Sequence, residues 1–215
     1  MSDKIKYEPI SNYAIRKIEG WTIYVNKQFL NEKKKIGKDL LKLLRVKLYD
    51  INRVVPKLAL KELHKVAIWL ELDNRQVLCA CYHPSREWLS EHGFNPEKAK
   101  SVEIGNAKNF INWTLHQPSM VLHELSHAYH HQVLGYDNPD VKSAYEKAVE
   151  AGLYKSVLYC NGDNHQAYAL NNDQEYFAEQ TEAYFGTNDY YPFVKAELMK
   201  YDSLMYETLK KLWGE

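Results

Sequence analysis

His123-Glu124-Leu125-Ser126-His127 sits inside Met120-Val121-Leu122-His123-Glu124-Leu125-Ser126-His127-Ala128-Tyr129-His130-His131, an H-E-x-x-H pattern in an apolar run. Positions i and i+4 of a helix share one face, so both imidazoles can address one ion. Two imidazoles on a rigid helix suit zinc, which takes neutral histidine nitrogen at about 2.0–2.1 Å. Glu124, next to the first histidine, is then placed as general base for a water that the ion activates. Met120, Val121, Leu122, Leu125 and Tyr129 give the segment a side to bury, and Pro118 fits a first helical position. His127 and His131 are also four apart, but Ala128 follows His127, so that pair lacks an adjacent base.

Working outward, the metal helix is expected over 118–134, stopped by Gly135. Downstream, Asn138-Pro139 predicts a cap and first turn of another helix, with Gly152 closing it. A helix is expected from Asn172 to Tyr184, then a turn at 188–192 and two helical stretches over 193–213. Upstream, 13–19 and 21–26 read as strands around Gly20, and residues 1–12 as loosely ordered. Ile36, Leu40, Leu43, Leu44, Leu48 and Ile51 recur at helical spacing with lysines opposite, as in a surface helix packed on a sheet. A short helix is expected near 57–64. Segments 65–72 and 76–82 read as strands joined by an Asp73-Asn74-Arg75 turn. Ser101–Ile104 reads as a short edge strand that could pair with an extended peptide. The expected architecture is a single α+β domain over 1–215: a sheet-bearing half (1–117) and an all-helical half (118–215) carrying the metal site.

The 215 residues carry 28 acidic and 28 basic side chains. A balanced chain lacks the basic excess of a nucleic-acid binder and the polybasic cluster of a membrane anchor. No stretch has the apolar length of a membrane span or a leader peptide, so the chain as given reads as cytoplasmic; a leader trimmed beforehand would leave no trace. Cys79, Cys81 and Cys160 form no disulfide framework, and the first two read as small residues packed on one face of a strand. Oligomeric state is not legible in the sequence.

A catalytic zinc usually has three protein ligands and one open position. In Asp173-Gln174-Glu175-Tyr176-Phe177-Ala178-Glu179-Gln180-Thr181-Glu182, three carboxylates, Glu175, Glu179 and Glu182, share a helix face. A cation between them and the two histidines would account for like charges so placed, and spacing alone leaves open which carboxylate binds it.

His123–His127, Tyr168 and Glu175-Tyr176-Phe177-Ala178-Glu179 resemble the catalytic C-terminal domain of anthrax lethal factor and its small bacterial and fungal relatives, zincin metallopeptidases whose third ligand is Glu. The resemblance covers roughly residues 118–190, about a third of the chain. It implies a zincin-like α+β fold and zinc held by His123, His127 and Glu175. It further implies Glu124 as base, Tyr168 as a hydroxyl facing the reacting carbonyl, and Glu179 behind the ligands, free to accept a ligating histidine's N–H. The expected function is a zinc-dependent metallopeptidase, a hydrolase acting on a peptide or protein substrate. A zinc-containing module that only binds peptides, or a hydrolase of a non-peptide amide, could use the same residues; the base at Glu124 argues against the first. Asn188–Phe193 also resembles a block in the small relatives. His116, His130, His131 and His165 are not expected to be ligands.

Overall fold

β1 (Tyr13–Ile18) and β2 (Trp21–Asn26) form an antiparallel hairpin with Ile18 opposite Trp21. Glu19 and Gly20 make its two-residue turn at φ 51° and 104°, the left-handed conformation that a hairpin this tight requires. The structure, a computed structural model, describes residues 7–214. Half of the 1–12 stretch expected to be loose precedes Tyr7 and lies outside the described residues, as does Glu215; in the other half, Ile10–Asn12 make a 3-10 turn.

After a short α1 (Gln28–Asn31), α2 (Lys34–Val54) buries Leu40, Leu44, Leu48 and Ile51 in one core with Trp21, Ile23 and Val25. Each such fully buried leucine contributes about 1.5–3 kcal/mol over an exposed one. α3 (Lys57–Leu63), β3 (Ile68–Leu70), β4 (Ala80–His83), α4 (Arg86–Glu91) and β5 (Ser101–Ile104) complete the first half. The mixed sheet runs β1-β2-β3-β5-β4, with β2, β3 and β5 parallel and β4 antiparallel to β5.

Two sequence expectations fail here. Ser101–Ile104 is not an edge strand: β5 lies between β3 and β4, and β4 is the edge. Segments 65–72 and 76–82 are therefore not neighbours across the 73–75 turn, and the second becomes strand only at Ala80. Residues 73–79 instead cross the end of β5. The Asn74 N–H donates to the Gly105 carbonyl at 2.7 Å, and the Gly105 N–H to that of Cys79 at 2.8 Å. The crossing is so close that a Cβ on Gly105 would stand 2.4 Å from Val77.

Alternation along the strands sends Ile68, Leu70, Val102 and Ile104 into the core and Trp69 and Glu103 to the other face. There Trp69 stacks on Tyr24 at 4.1 Å between ring centres. Lys98, 5% exposed, donates to Glu71 and to Glu103, each at 2.6 Å. Glu71 also accepts from Asn26 and the Tyr13 hydroxyl, and Glu103 from Asn74 and His83. Burial alone would raise the Glu103 carboxyl, but the bond from His83 and the Lys98 ammonium outweigh it and bring it to about 2.

The second half begins with α5 (Ala107–Trp113) and α6 (Met120–Tyr129), which ends in a π-helical turn, His130–Leu134, stopped by Gly135 at φ 80°. α6 starts two residues later than Pro118 predicts. Ser119 does not cap it; its hydroxyl accepts the Thr187 N–H at 3.1 Å. α7 (Pro139–Glu150) is capped by Asn138 as expected. A two-stranded ribbon, β6 (Val157–Leu158) and β7 (Asn164–His165), follows, so this half is not all helix. α8 (Asp173–Phe185) comes next, then α9 (Lys195–Tyr201) and α10 (Ser203–Trp213). Nine consecutive residues of α8, from Tyr176 to Tyr184, are buried. Its Tyr176 hydroxyl donates to Asp202 at 2.6 Å, which also caps α10. The apolar core continues unbroken from Trp21 to Trp213. No helix among the described residues is long and apolar enough to cross a membrane.

Candidate metal centre

Helices α6 and α8 lie side by side, and each brings ligand-type side chains to one point. His123 Nε2 and His127 Nε2 are 3.0 Å apart, and Glu175 Oε2 lies 3.1 Å from the first and 3.2 Å from the second. The helical offset of four sets the first distance. The second and third depend on where α8 begins. Asn172 fixes that, its side chain accepting the Glu175 N–H at 2.8 Å.

Three lone-pair atoms in mutual contact repel unless a proton or a cation lies among them. A tetrahedral ion with bonds of about 2.0–2.1 Å would hold its ligand atoms roughly 3.3 Å apart, so the triangle fits zinc in size and in donor type. The charges agree. Burial works against a proton on His123, but hydrogen bonds to Glu175 and Glu182 outweigh it and raise its pKa well above that of a free imidazole. Burial likewise opposes the Glu175 carboxylate, yet the two imidazoles hold it down at about 2. The negative field that draws a proton to this point is of the sign that draws a cation.

Behind the triangle, the expected partner of His123 changes. Glu182, not Glu179, stands 2.7 Å from His123 Nδ1; Glu179 is 3.8 Å away. The helical face is the expected one, but the carboxylate is seven residues past Glu175, because α8 continues under the His123 ring. Burial raises both carboxyls, and in Glu179 the nearby Glu182 charge adds to the rise.

Glu124 is outside the triangle, and its carboxylate accepts the Tyr82 N–H of edge strand β4 at 2.7 Å. Tyr168, in a 3-10 turn before α8, is 48% exposed and lines the same cleft. Burial first, and then the Glu175 charge, raise its hydroxyl pKa, so it remains a hydrogen-bond donor. The cleft encloses about 390 Å³, with β4 along one wall.

None of the other histidines joins the triangle. His131 Nδ1 pairs with the Tyr82 hydroxyl at 2.8 Å. His130 is fully buried between Tyr136 and Phe177, and burial pushes it down to about 4, leaving it neutral. His165 is exposed on the ribbon, and His116 is exposed and not among the cleft residues. Cys79 and Cys81 line the cleft as protonated thiols, raised by burial first and by Glu124 next. Sequence patterns give no sign of two further cleft residues, Tyr82 and Gln117, and mark a third, Asp189, only as part of a block without an assigned role. Asp189, from the Asn188–Phe193 block, is buried at the cleft and accepts from the Gln117 amide at 3.1 Å. Comparisons of the chain with protein-family models, with curated proteins and with solved structures give no match.

Proposed function

We propose that this chain is a zinc-dependent metallopeptidase of the zincin type, as its resemblance to the lethal factor catalytic domain implies. The observation that carries the reading is the contact triangle of His123, His127 and Glu175 with a carboxylate, Glu124, beside it that takes no part in it. A purely structural zinc site has no use for such a base.

His123, His127 and Glu175 would hold the ion, which when bound supplies a Lewis acid beside the reacting carbonyl. Glu124 takes the proton of the attacking water and passes it to the leaving amine. Its bond from the Tyr82 N–H holds it in place at the cleft. The Tyr168 hydroxyl donates to the carbonyl oxygen as charge develops there. Glu182 fixes the ring and tautomer of His123. β4, as the sheet edge beside the cleft, offers its backbone to an extended peptide, the role the sequence suggests for Ser101–Ile104.

The test is zinc stoichiometry after dialysis, with turnover of a mixed peptide library before and after chelation. Turnover unaffected by chelation, or no zinc retained, sinks the reading. Two variants probe its parts. Glu182→Gln should weaken zinc binding by about 10–100-fold in competitive chelation, and Glu179→Gln by much less; equal losses would remove Glu182 from its role. Tyr168→Phe should retain the metal and the melting temperature while turnover falls about 10²–10³-fold. Unchanged turnover would make Tyr168 a bystander.

A further inference from the structure

We propose that the floor of the cleft is a cation-recognition pocket, where Glu179 and Asp189 take a primary ammonium or guanidinium group that the substrate carries beside the bond being cut. The cation assignment rests on side-chain geometry; its place beside a scissile bond rests on the peptidase reading.

Five carboxyl groups line the cleft, Glu124, Glu175, Glu179, Glu182 and Asp189, and among the described residues no lysine or arginine does. Three of the five are engaged: Glu175 in the triangle, Glu182 with the His123 ring and Glu124 with the Tyr82 N–H. Glu179 is held less firmly, its Oε1 3.8 Å from His123 Nδ1. It is 4% exposed, it lines the cleft, and its Oε2 has no hydrogen-bond partner among the described residues. Asp189, 2% exposed, accepts from the neutral Gln117 amide and faces no lysine or arginine in the cleft among the described residues. A buried acceptor without a donor is costly, and a cationic donor relieves it better than a neutral one. Glu179 Oε1 is 3.8 Å from His123 Nδ1, one imidazole ring from the triangle. A cation seated there belongs to a group immediately flanking the reacting carbonyl. A lysine side chain, an arginine side chain and a free peptide N-terminus all present that chemistry.

The experiment has two readouts on purified protein supplied with zinc. Calorimetric titration compares n-butylammonium and n-butylguanidinium with neutral n-butanol. Peptide kinetics compare Lys, Arg and norleucine at each position flanking the cut, with the N-terminus free or acetylated. The expected result is at least a tenfold preference for one cationic probe over n-butanol, lost in Glu179→Gln and reduced in Asp189→Asn, with a matching preference in kcat/KM. The preferred substrate arm identifies the source of the cation. Cation binding that Glu179→Gln abolishes, without turnover of any peptide, keeps the pocket and overturns the peptidase reading. Turnover indifferent to charge, with no probe preferred over n-butanol, overturns the pocket and leaves the peptidase reading standing. If Glu179→Gln melts early, Asp189→Asn and the wild-type probe comparison decide alone.

Discussion

Glu124→Gln is expected to lower peptide turnover by about 10²–10⁴-fold, the usual contribution of a positioned general base. Zinc content should not change, because Glu124 is not one of the three converging atoms. The substitution keeps size and one acceptor oxygen, so the Tyr82 N–H can still be satisfied and the local fold should survive. The measurement is metal analysis and peptide kinetics on the same preparation. Zinc retained with normal turnover would remove Glu124 as base. Zinc lost would instead mean that the motif is read in the wrong register.

Lys98→Met should destabilise the fold by about 3–5 kcal/mol, the usual cost of removing one partner from a buried ion cluster. The thioether can fill the space of the lysine stem, but nothing replaces the ammonium, which lies near the Trp69 ring and between Glu71 and Glu103. Urea unfolding measures the loss; a change under about 1 kcal/mol would show that the cluster is neutral to stability. The pH dependence has a definite sign. Glu103 has a lower pKa folded than unfolded, so its contribution is full above its ordinary value of 4.5 and is lost as pH falls towards about 2. Wild-type stability should therefore decline across that window. Without the ammonium, the folded carboxyl titrates higher, and the decline in Lys98→Met should begin at higher pH.

Much of this is legible in the sequence because it is local. The first hairpin, the face of α2, the cap at Asn138 and the start of a helix at Asn172 follow from neighbours within a few residues. So does the pairing of His123 with His127. The rest depends on how separate elements meet. A strand's period shows which face it buries but not its neighbours, so β5 reads as an edge and the place of β4 stays hidden. Spacing puts Glu175, Glu179 and Glu182 on one face. Only the rotation of α8 against α6 decides that Glu175 meets Nε2 of His123 and Glu182 meets Nδ1. Nothing in the sequence singles out Lys98; only the sheet brings two carboxylates to it. Gln117 and Asp189 stand in connections without periodicity, 72 residues apart.

Tyr82 touches the α6 side of the cleft twice. Its backbone N–H meets Glu124, and its hydroxyl meets His131 in the turn that continues α6. With both bonds made, strand and helix form one jaw that cannot spread without breaking them. Across the cleft stand Tyr168, in a 3-10 turn, and Tyr190, bridged to Tyr159. The Glu124 carboxylate is thus oriented by the fold itself, through a strand that its own helix holds in place.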